Sequence, residues 1–236
     1  MKKLPVVLAI TGASGVIYAL RLLDQLLRSA GPVHLTISPS GRTVLQQELA
    51  ITVDLEQFRA DGLIGSRPRG SAAETDMQRL VRDVQASLQD ALQSGPRDSL
   101  RYCHYQDFLA PIASGSFLTA GMVVCPCSGS TLSAVVHGAG NNLIQRAADV
   151  HLKERRRLIL VPRETPLSVV QLDNMQRACA AGAVVLPAMP GWYHGVASLR
   201  DLVDFVVARI LDQLGVAHNL MRRWGDDVET APPVTG

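Results

Sequence analysis

The sequence predicts an α/β fold with a mostly parallel sheet between two layers of helices. Short apolar runs at residues 4–10, 122–125 and 158–161, together with a further predicted strand at 33–37, alternate with longer segments of helical periodicity. Such unbroken apolar runs are typical of strands covered on both faces. Hydrophobic residues make up 47% of the chain and aromatic residues only 4%, so the core consists mainly of aliphatic side chains. We expect a single domain over residues 1–215, with a loop and helix inserted at about 55–105, and a C-terminal tail over 216–236.

Composition and charge argue against several classes of protein. The chain has 23 basic and 21 acidic residues, a net charge of +2, which is too small for general nucleic-acid binding. No apolar run approaches the roughly 20 residues of a membrane span, and the first apolar run reads as a strand rather than a signal peptide. The four cysteines form no spaced framework, and the six histidines are scattered. We therefore expect a cytoplasmic protein with reduced thiols, no metal site, and no nucleic-acid or membrane partner.

The first strand is followed by Thr11-Gly12-Ala13-Ser14-Gly15, a turn of small residues that enters an amphipathic helix. Small residues let main-chain N–H groups approach an anion, and a helix N-terminus adds partial positive charge. The turn therefore predicts a phosphate cradle. The P-loop lysine and the complete G-x-G-x-x-G pattern are both missing, which argues against an ATPase or a standard dinucleotide enzyme.

The second strand, residues 33–37, is followed by Ser38 and by a helix that opens at Ser40, for which a plain N-cap is one of two equally good interpretations. Hydroxyls at this second strand end would extend the cradle. Glu48 falls within that helix, where a position on its solvated face is the default expectation. Between residues 54 and 105 the sequence predicts one further amphipathic helix, beginning with a capping box at residues 71–74 and ending before Gly95.

A second turn of hydroxyl-bearing and small residues follows the strand at 122–125. A loop at residues 108–116 contains Phe108 and a Ser-Gly-Ser triplet, and after the strand comes the run Ser128-Gly129-Ser130-Thr131, which enters a helix. Two such turns in one sheet predict a ligand that carries a phosphate together with polar ring or sugar groups, as a mononucleotide does.

The stretch at residues 141–166 organises the rest of the chain. A helix carrying Arg146 and Lys153 leads into the strand at 158–161, and Arg163 and Glu164 follow the carboxyl end of that strand. Ligands of open α/β sheets bind at that edge, so this cation and carboxylate are placed to contact a substrate. A solvated ion pair in a loop is an equally good interpretation of the pattern alone.

The last part of the chain predicts a helix that begins at Ser168, a strand at 183–186, and a helix capped by Ser198 that runs to residue 214 and carries Arg209. Trp192 and Tyr193 lie on the Pro- and Gly-rich loop between the last two elements. Aromatic residues on such a loop favour a binding wall over a place in the core. Trp224, in the tail, is expected to be docked.

Several motifs together resemble the flavin prenyltransferases of the UbiX type. These are TGASG followed by Tyr18 and Arg21, the SGS triplet, CPCSGSTLSA, NNLIQRAADVHLKERRRLILVPRETPLS, GAVVLPAMPGWYH and DLVDFVVARILDQLG. The match spans residues 4–224 in order. The resemblance implies a flavodoxin-like (Rossmann-type) three-layer sandwich that assembles as a homo-dodecamer and binds FMN where subunits meet.

The implied activity joins the dimethylallyl group of dimethylallyl phosphate to N5 and C6 of reduced FMN. The product, prenylated FMN, serves a UbiD-type decarboxylase in ubiquinone biosynthesis or aromatic acid metabolism, and the reaction needs no metal. The resemblance assigns FMN binding to Gly12, Ala13, Ser14, Ser38, Ser128, Gly129, Ser130, Thr131, Arg146 and Arg163. It assigns the phosphate of dimethylallyl phosphate to Lys153, Tyr193 and Arg209, and catalytic roles to Ser14, Glu48 and Glu164.

Three departures from the family pattern bear on how the allyl group packs. The segment before the SGS triplet is longer than in typical members, Pro39-Ser40-Gly41-Arg42 replaces the usual run, and Phe108 stands where a Trp is common. Two other functions stay open: an FMN-dependent decarboxylase related to the cysteine-decarboxylating flavoproteins, and a non-catalytic flavin carrier. The decarboxylases use a His base near the first helix, where this chain has Tyr18 and no His.

Overall fold

The computed structural model describes residues 3–65, 74–96 and 98–223. Within these residues a sheet is built from β1 (Val6–Ile10), β2 (Val33–Ile37), β3 (Leu100–Tyr102), β4 (Gly121–Cys127), β5 (Leu158–Pro162) and β6 (Val184–Val185). The strand order is β3-β2-β1-β4-β5-β6, and every neighbouring pair is parallel. The order reverses at β1, whose neighbours are β2 and β4, so a crevice opens between the carboxyl ends of β1 and β4.

Helices cover both faces of the sheet and make the three layers that the sequence predicts. They are α1 (Val16–Ser29), α2 (Pro39–Leu49), α3 (Asp76–Ser94), α4 (Gly129–Val136), α5 (Leu143–Lys153), α6 (Val169–Ala180) and α7 (Leu199–Leu214). Two short 3₁₀ turns lie at Ala60–Ile64 and Pro111–Ala113. None of the described helices is long and apolar enough to cross a membrane.

The core lies in two clusters, one on each face of the sheet. Along β1, Val6, Leu8 and Ile10 pack with α1, α3 and α7, whereas Val7 and Ala9 pack with α4 and α5. Alternate residues of a strand point to opposite faces, so a central strand must be apolar at every position. This explains why the predicted apolar runs are continuous, and why all five residues of β1 are buried.

A buried group of charges fixes α1 against its neighbours. Arg21 donates to Asp204 of α7 at 2.6 and 3.1 Å and to Asp24 at 2.6 Å. Arg28, also bonded to Asp24, donates to the main-chain oxygen of Ser87 in α3 at 2.7 Å. The charges compensate one another, as buried ions must, and they join α1, α3 and α7 into one layer.

The structure corrects several local predictions. β3 was missed because it is short and lies at the sheet edge, where it is only half-buried and lacks a long apolar run. The cap of α3 is Thr75, which forms a capping box with Gln78, and not the predicted residues 71–74, of which 71–73 lie outside the described residues. The cap of α2 is Ser38 rather than Ser40, because the helix starts at Pro39. Trp224 also lies outside the described residues.

Candidate functional site

The two predicted turns lie side by side at the carboxyl ends of β1 and β4. The Thr11 hydroxyl donates to the main-chain oxygen of Pro126 at 2.7 Å and accepts from the main-chain N–H of Ser128 at 2.9 Å. Gly12 lies so close to α2 that a Cβ there would come within 2.4 Å of the Ser40 Cβ. A residue with a side chain is therefore excluded at Gly12, because α2 packs directly against this part of the turn.

The sequence predicted that the N-terminus of α1 is free to bind a phosphate, but in the structure a side chain of the same chain occupies it. The Glu48 carboxylate accepts hydrogen bonds from the main-chain N–H of Gly15, at 3.0 and 3.1 Å, and of Val16, at 3.1 Å. Glu48 is half-buried, so its placement on a solvated helix face is wrong. The first turn can still offer the main chain of Gly12 and Ala13 and the Ser14 hydroxyl, but Glu48 already takes the N–H groups of the helix end.

In the second turn, at the start of α4, some of the hydrogen-bonding groups are already used in capping that helix. The Ser128 hydroxyl accepts from the Thr131 N–H at 3.3 Å and lies within hydrogen-bond distance of the hydroxyls of Ser130 and Thr131, at 3.1 and 2.9 Å. Ser130 is exposed. Gly129 lies against the first turn of α6, where an added Cβ would be 3.4 Å from the Gln171 amide nitrogen. The turn presents a dense set of hydroxyls around a small residue.

Ser38, at the carboxyl end of β2, is engaged on both sides. Its main-chain N–H donates to the Ile10 carbonyl at 3.0 Å, and its hydroxyl accepts from the Gly41 N–H at 3.0 Å. Because one hydroxyl lone pair and the hydroxyl proton remain, Ser38 can both cap α2 and contact a ligand. The ends of β1, β2 and β4 therefore form one continuous polar rim.

Arg163 and Glu164 follow β5 on the same rim. The Arg163 Nε is buried and has no hydrogen-bond partner among the described residues. A buried guanidinium N–H without a partner is costly, so this atom fits an anion that binds from outside the chain. Glu164 is exposed; its carboxylate accepts from the Thr165 N–H and from the Gln171 amide, both at 3.2 Å. Among the described residues no ion pair joins Arg163 to Glu164, so the contacts give no support to the alternative of a solvated ion pair in this loop.

The loop after β6 forms an exposed aromatic wall, as predicted. Trp192 and Tyr193 are 70% and 63% exposed. The Tyr193 ring meets Phe205 of α7 edge to face, with centroids 5.9 Å apart, and His194 stacks on Phe205 at 5.1 Å. Gly191 is required here because an added Cβ would lie 2.9 Å from the Phe205 ring. Contacts with Phe205 therefore hold the loop against α7, while the rings of Trp192 and Tyr193 remain largely exposed.

Three of the predicted site residues lie elsewhere in the same chain. Lys153 is the last residue of α5 and pairs with Glu154, next to Gly115 of the SGS triplet. Arg146 bonds to Asp149 and the Ala113 carbonyl. Arg209 pairs with Asp212 late in α7, a helix whose last residue lies against Gly121 at the amino end of β4. Within one chain, the described contacts of Lys153, Arg146 and Arg209 are therefore with residues other than the FMN-type residues of the rim.

Two residues that hold these loops were missed by sequence reasoning. One is Thr11, which joins the two turns of the crevice. The other is Arg156, which donates to the carbonyls of Gly115 and Phe117, the second at 2.7 Å. Arg156 was hidden within a run of three arginines, and a threonine after a strand is too common to attract notice. The only available signal was their position beside motifs already singled out.

The parallel sheet reverses its strand order beside two small-residue turns, and on the same rim the buried Nε of Arg163 has no partner among the described residues. These features are typical of nucleotide-binding proteins with a Rossmann-type, flavodoxin-like sandwich. The model of the Flavoprotein family matches residues 1–211. The chain belongs to this family and, within it, to the flavin prenyltransferases of the UbiX type. This confirms the resemblance drawn from the sequence motifs.

The similarity extends over nearly the whole chain. A flavin prenyltransferase UbiX of Pseudomonas aeruginosa is 44% identical over 221 residues, which cover 94% of each protein. The crystal structure of AnUbiX (PadA1) in complex with FMN and dimethylallyl pyrophosphate is 33% identical, with a TM-score of 0.71, over 94% of this chain and 98% of that one. A dodecameric FMN-dependent UbiX-like decarboxylase from Escherichia coli O157:H7 is 34% identical, with a TM-score of 0.69, over 93% and 98%.

Cysteine-decarboxylating flavoproteins are more distant. The peptidyl-cysteine decarboxylase EpiD is 14% identical, with a TM-score of 0.51. This likeness supports the shared fold alone and gives the decarboxylase alternative no further weight.

Proposed function

We propose that this protein transfers a dimethylallyl group from dimethylallyl phosphate to reduced FMN and releases prenylated FMN. The observation that carries the proposal is the buried Nε of Arg163, which no described residue pairs, at the rim of a crevice in a chain about 40% identical to proteins named flavin prenyltransferases. It marks a place for an anion next to two turns that suit a mononucleotide.

FMN fits the donor set of the carboxyl rim. Gly12, Ala13 and Ser14 on one side, and Ser128, Gly129, Ser130 and Thr131 on the other, would hold it, with Ser38 between them and Arg163 as the cation. Reduced FMN supplies the nucleophilic ring atoms to which the allyl group becomes attached. The chain's own part is to fix that ring, shield it from water, and hold the second substrate against it.

The second substrate needs positive charge around its phosphate. Breaking the allylic C–O bond leaves negative charge on the departing phosphate, so cations that hold this group lower the barrier. Lys153 and Arg209 supply these charges, and the exposed Tyr193 supplies a hydroxyl and an aromatic face next to the developing allyl cation. Glu164, exposed on the rim, and Glu48, on the α1 N-terminus, are the carboxylates placed to move protons.

A complete site requires more than one copy of this chain. The described contacts of Arg146, Lys153 and Arg209 are with residues outside the two turns, and we infer that these side chains reach FMN from neighbouring copies. The exposed apolar residues Val169, Val170 and Leu172 at the start of α6 are consistent with burial between copies. We propose a homo-oligomer, a dodecamer like the Escherichia coli relative, with FMN and dimethylallyl phosphate bound where copies meet.

We further propose that a UbiD-type decarboxylase in the cytoplasm receives the product. Support for this partner comes from the family resemblance alone. Mixing the protein, reduced FMN and dimethylallyl phosphate with an inactive apo-decarboxylase of this type would test it. Recovery of decarboxylation is expected only when all three components are present.

The function itself is tested by anaerobic incubation of the purified protein with reduced FMN and dimethylallyl phosphate, followed by mass spectrometry of the released flavin. We expect a mass increase of one dimethylallyl group. Unmodified FMN released from folded, flavin-bound protein would overturn the proposal and favour a carrier. Turnover of a peptidyl or pantothenoyl cysteine with oxidised FMN would favour the decarboxylase alternative.

A further inference from the structure

The strand pairing between β1 and β4 stops before either turn of the crevice begins. Their regular register ends at the pair Ala9 and Val124, and in the pairing of β4 with its other neighbour, β5, the register shifts between Val124 and Cys127. Pro126 lies in that irregular part and has no N–H to give to the ladder. Beyond the pair Ala9 and Val124, the main-chain link is a single long hydrogen bond from the Thr11 N–H to the Pro126 carbonyl, at 3.3 Å, which holds the two turns only weakly.

Beyond the last regular pair of the ladder, Thr11 connects the two strands through its side chain. Its hydroxyl donates to the Pro126 carbonyl at 2.7 Å and accepts from the Ser128 N–H at 2.9 Å, and its own N–H donates to the same carbonyl at 3.3 Å. The side chain is almost fully buried, with 1% of the residue exposed. A single hydroxyl thus continues the pairing of the two strands through a donor and an acceptor.

The two residues that Thr11 connects belong to different halves of the crevice. Thr11 immediately precedes Gly12, Ala13 and Ser14, while Ser128 is the first residue of the second turn. Each turn continues into its own helix, so without this hydroxyl their separation would depend on the packing of α1 and α4 and on the one long Thr11 N–H bond to Pro126. A mononucleotide that contacts both turns needs them at a fixed spacing before it binds.

We propose that Thr11 is a positioning residue for FMN: its hydroxyl sets the spacing between the two turns and so preorganises the crevice. This inference rests on FMN binding, which is part of the proposed function, but it does not depend on prenyl transfer. Loss of the hydroxyl loosens the spacing, and FMN then binds more weakly because it must restore the spacing itself.

Thr11→Val tests the proposal, because valine has nearly the same shape and lacks the hydroxyl. We expect the Kd for oxidised FMN, measured by quenching of flavin fluorescence, to rise about tenfold, equivalent to about 1.4 kcal/mol. Thr11→Ser, which keeps the hydroxyl, should bind FMN within about twofold of the unmodified protein. The absorption spectrum of bound FMN should also change in Thr11→Val and be retained in Thr11→Ser.

Thr36 provides a matched control on the neighbouring strand. It is also fully buried, but its hydroxyl has no hydrogen-bond partner among the described residues. Thr36→Val should leave the Kd for FMN unchanged and should not lower the melting temperature. Unchanged FMN affinity in folded Thr11→Val, or an equal loss in Thr36→Val, would overturn the proposal.

A second pair of variants keeps the test valid if Thr11→Val does not fold. Thr11→Ala and Thr11→Ser both lack the γ-methyl group and differ in the hydroxyl, so the ratio of their Kd values isolates the hydrogen bonds. A ratio near one overturns the proposal. If the protein binds FMN but transfers no dimethylallyl group, the proposed function fails while the role of Thr11 is still decided by these Kd values.

Discussion

The Glu48 carboxylate closes the N-terminus of α1 by accepting two hydrogen bonds from the Gly15 N–H, at 3.0 and 3.1 Å. Glu48 belongs to α2, so this contact ties the turn after β1 to the helix after β2. It also places a negative charge where the sequence alone suggested a phosphate. The end of the first turn therefore binds the Glu48 carboxylate, and only the earlier part of this turn remains for a nucleotide.

Glu48→Gln should weaken both roles of this carboxylate. The amide keeps one acceptor but loses the charge that complements the helix end, so the free energy of unfolding should fall by about 1 kcal/mol. Prenyl transfer should fall as well, because a proton-transfer group is lost. Urea unfolding and product mass spectrometry measure the two effects. Glu56→Gln, at an exposed position, is the control, and equal behaviour of the two variants would contradict both roles.

Arg209→Ala should raise the KM for dimethylallyl phosphate and lower transfer by about tenfold or more, because a charge-assisted hydrogen bond to phosphate is lost. The Kd for FMN should hardly change, since Arg209 is assigned to the other substrate. Asp212 keeps His218 and Arg223 as partners, so the fold should be retained. Arg177→Ala, which removes a surface arginine paired with Asp173, is the matched control. Normal transfer by Arg209→Ala would refute the assignment.

Tyr193→Phe tests the same substrate from the aromatic wall. The phenyl ring can keep its edge-to-face contact with Phe205, while the hydroxyl is removed. We expect slower transfer with FMN binding intact, in steady-state assays at saturating reduced FMN. Tyr105→Phe, away from this loop, should leave the rate unchanged. A parallel loss of FMN affinity in Tyr193→Phe would show that this residue serves the cofactor instead.

Arg156→Gln should disturb the Ser-Gly-Ser loop without touching a substrate. Its guanidinium holds the carbonyls of Gly115 and Phe117, and Gly115 lies so close to Lys153 that an added Cβ would be 3.0 Å from its ammonium. Displacing the loop should therefore raise the KM for dimethylallyl phosphate about tenfold. Arg155→Gln, at the exposed neighbour, should have no such effect. Equal KM values for the two variants would show that the bonds from Arg156 to this loop do not affect substrate binding.

The free energy of unfolding should decrease as the pH is lowered past about 6.5, in part because His151 is buried and resists protonation in the folded protein. Burial lowers its pKa from the ordinary value of 6.5; the hydrogen bond to the Ala147 carbonyl partly opposes this shift, and nearby Arg156 reinforces it. Because the unfolded chain binds the proton more readily, this contribution is complete above the unfolded pKa and is lost as the pH falls below it. His34 has a lowered pKa for the same main reason.

His151→Gln should reduce this dependence, because glutamine does not titrate and can still bond to Thr119 and Ala147. The measurement is the melting temperature from pH 8 to about pH 5, compared with the unmodified protein. The exposed His137→Gln should leave the curve unchanged. A curve for His151→Gln that is parallel to the unmodified one would rule out this source of acid sensitivity.

The sequence by itself determined the layers of the fold and most of the rim. Central strands of a parallel sheet are mostly apolar on both faces, so β1, β4 and β5 were visible as unbroken apolar runs, and β2 was recognised although it contains His34 and Thr36. Ligands bind at the carboxyl ends of such strands, so the sequence alone placed Gly12, Ser128 and Arg163 at the same edge of the sheet. The motifs around them were specific enough to indicate the family.

The tertiary structure alone decided which groups meet. Periodicity describes one element at a time, so it could not show that Glu48 reaches α1, that Thr11 joins two turns, or that Arg156 clamps a loop. It also could not show that the described contacts of Lys153 and Arg209 are with residues outside the rim, because contacts between residues far apart in sequence depend on how the layers pack. Those contacts are properties of the packed molecule, which is why their roles emerge only when the helices and strands are assembled.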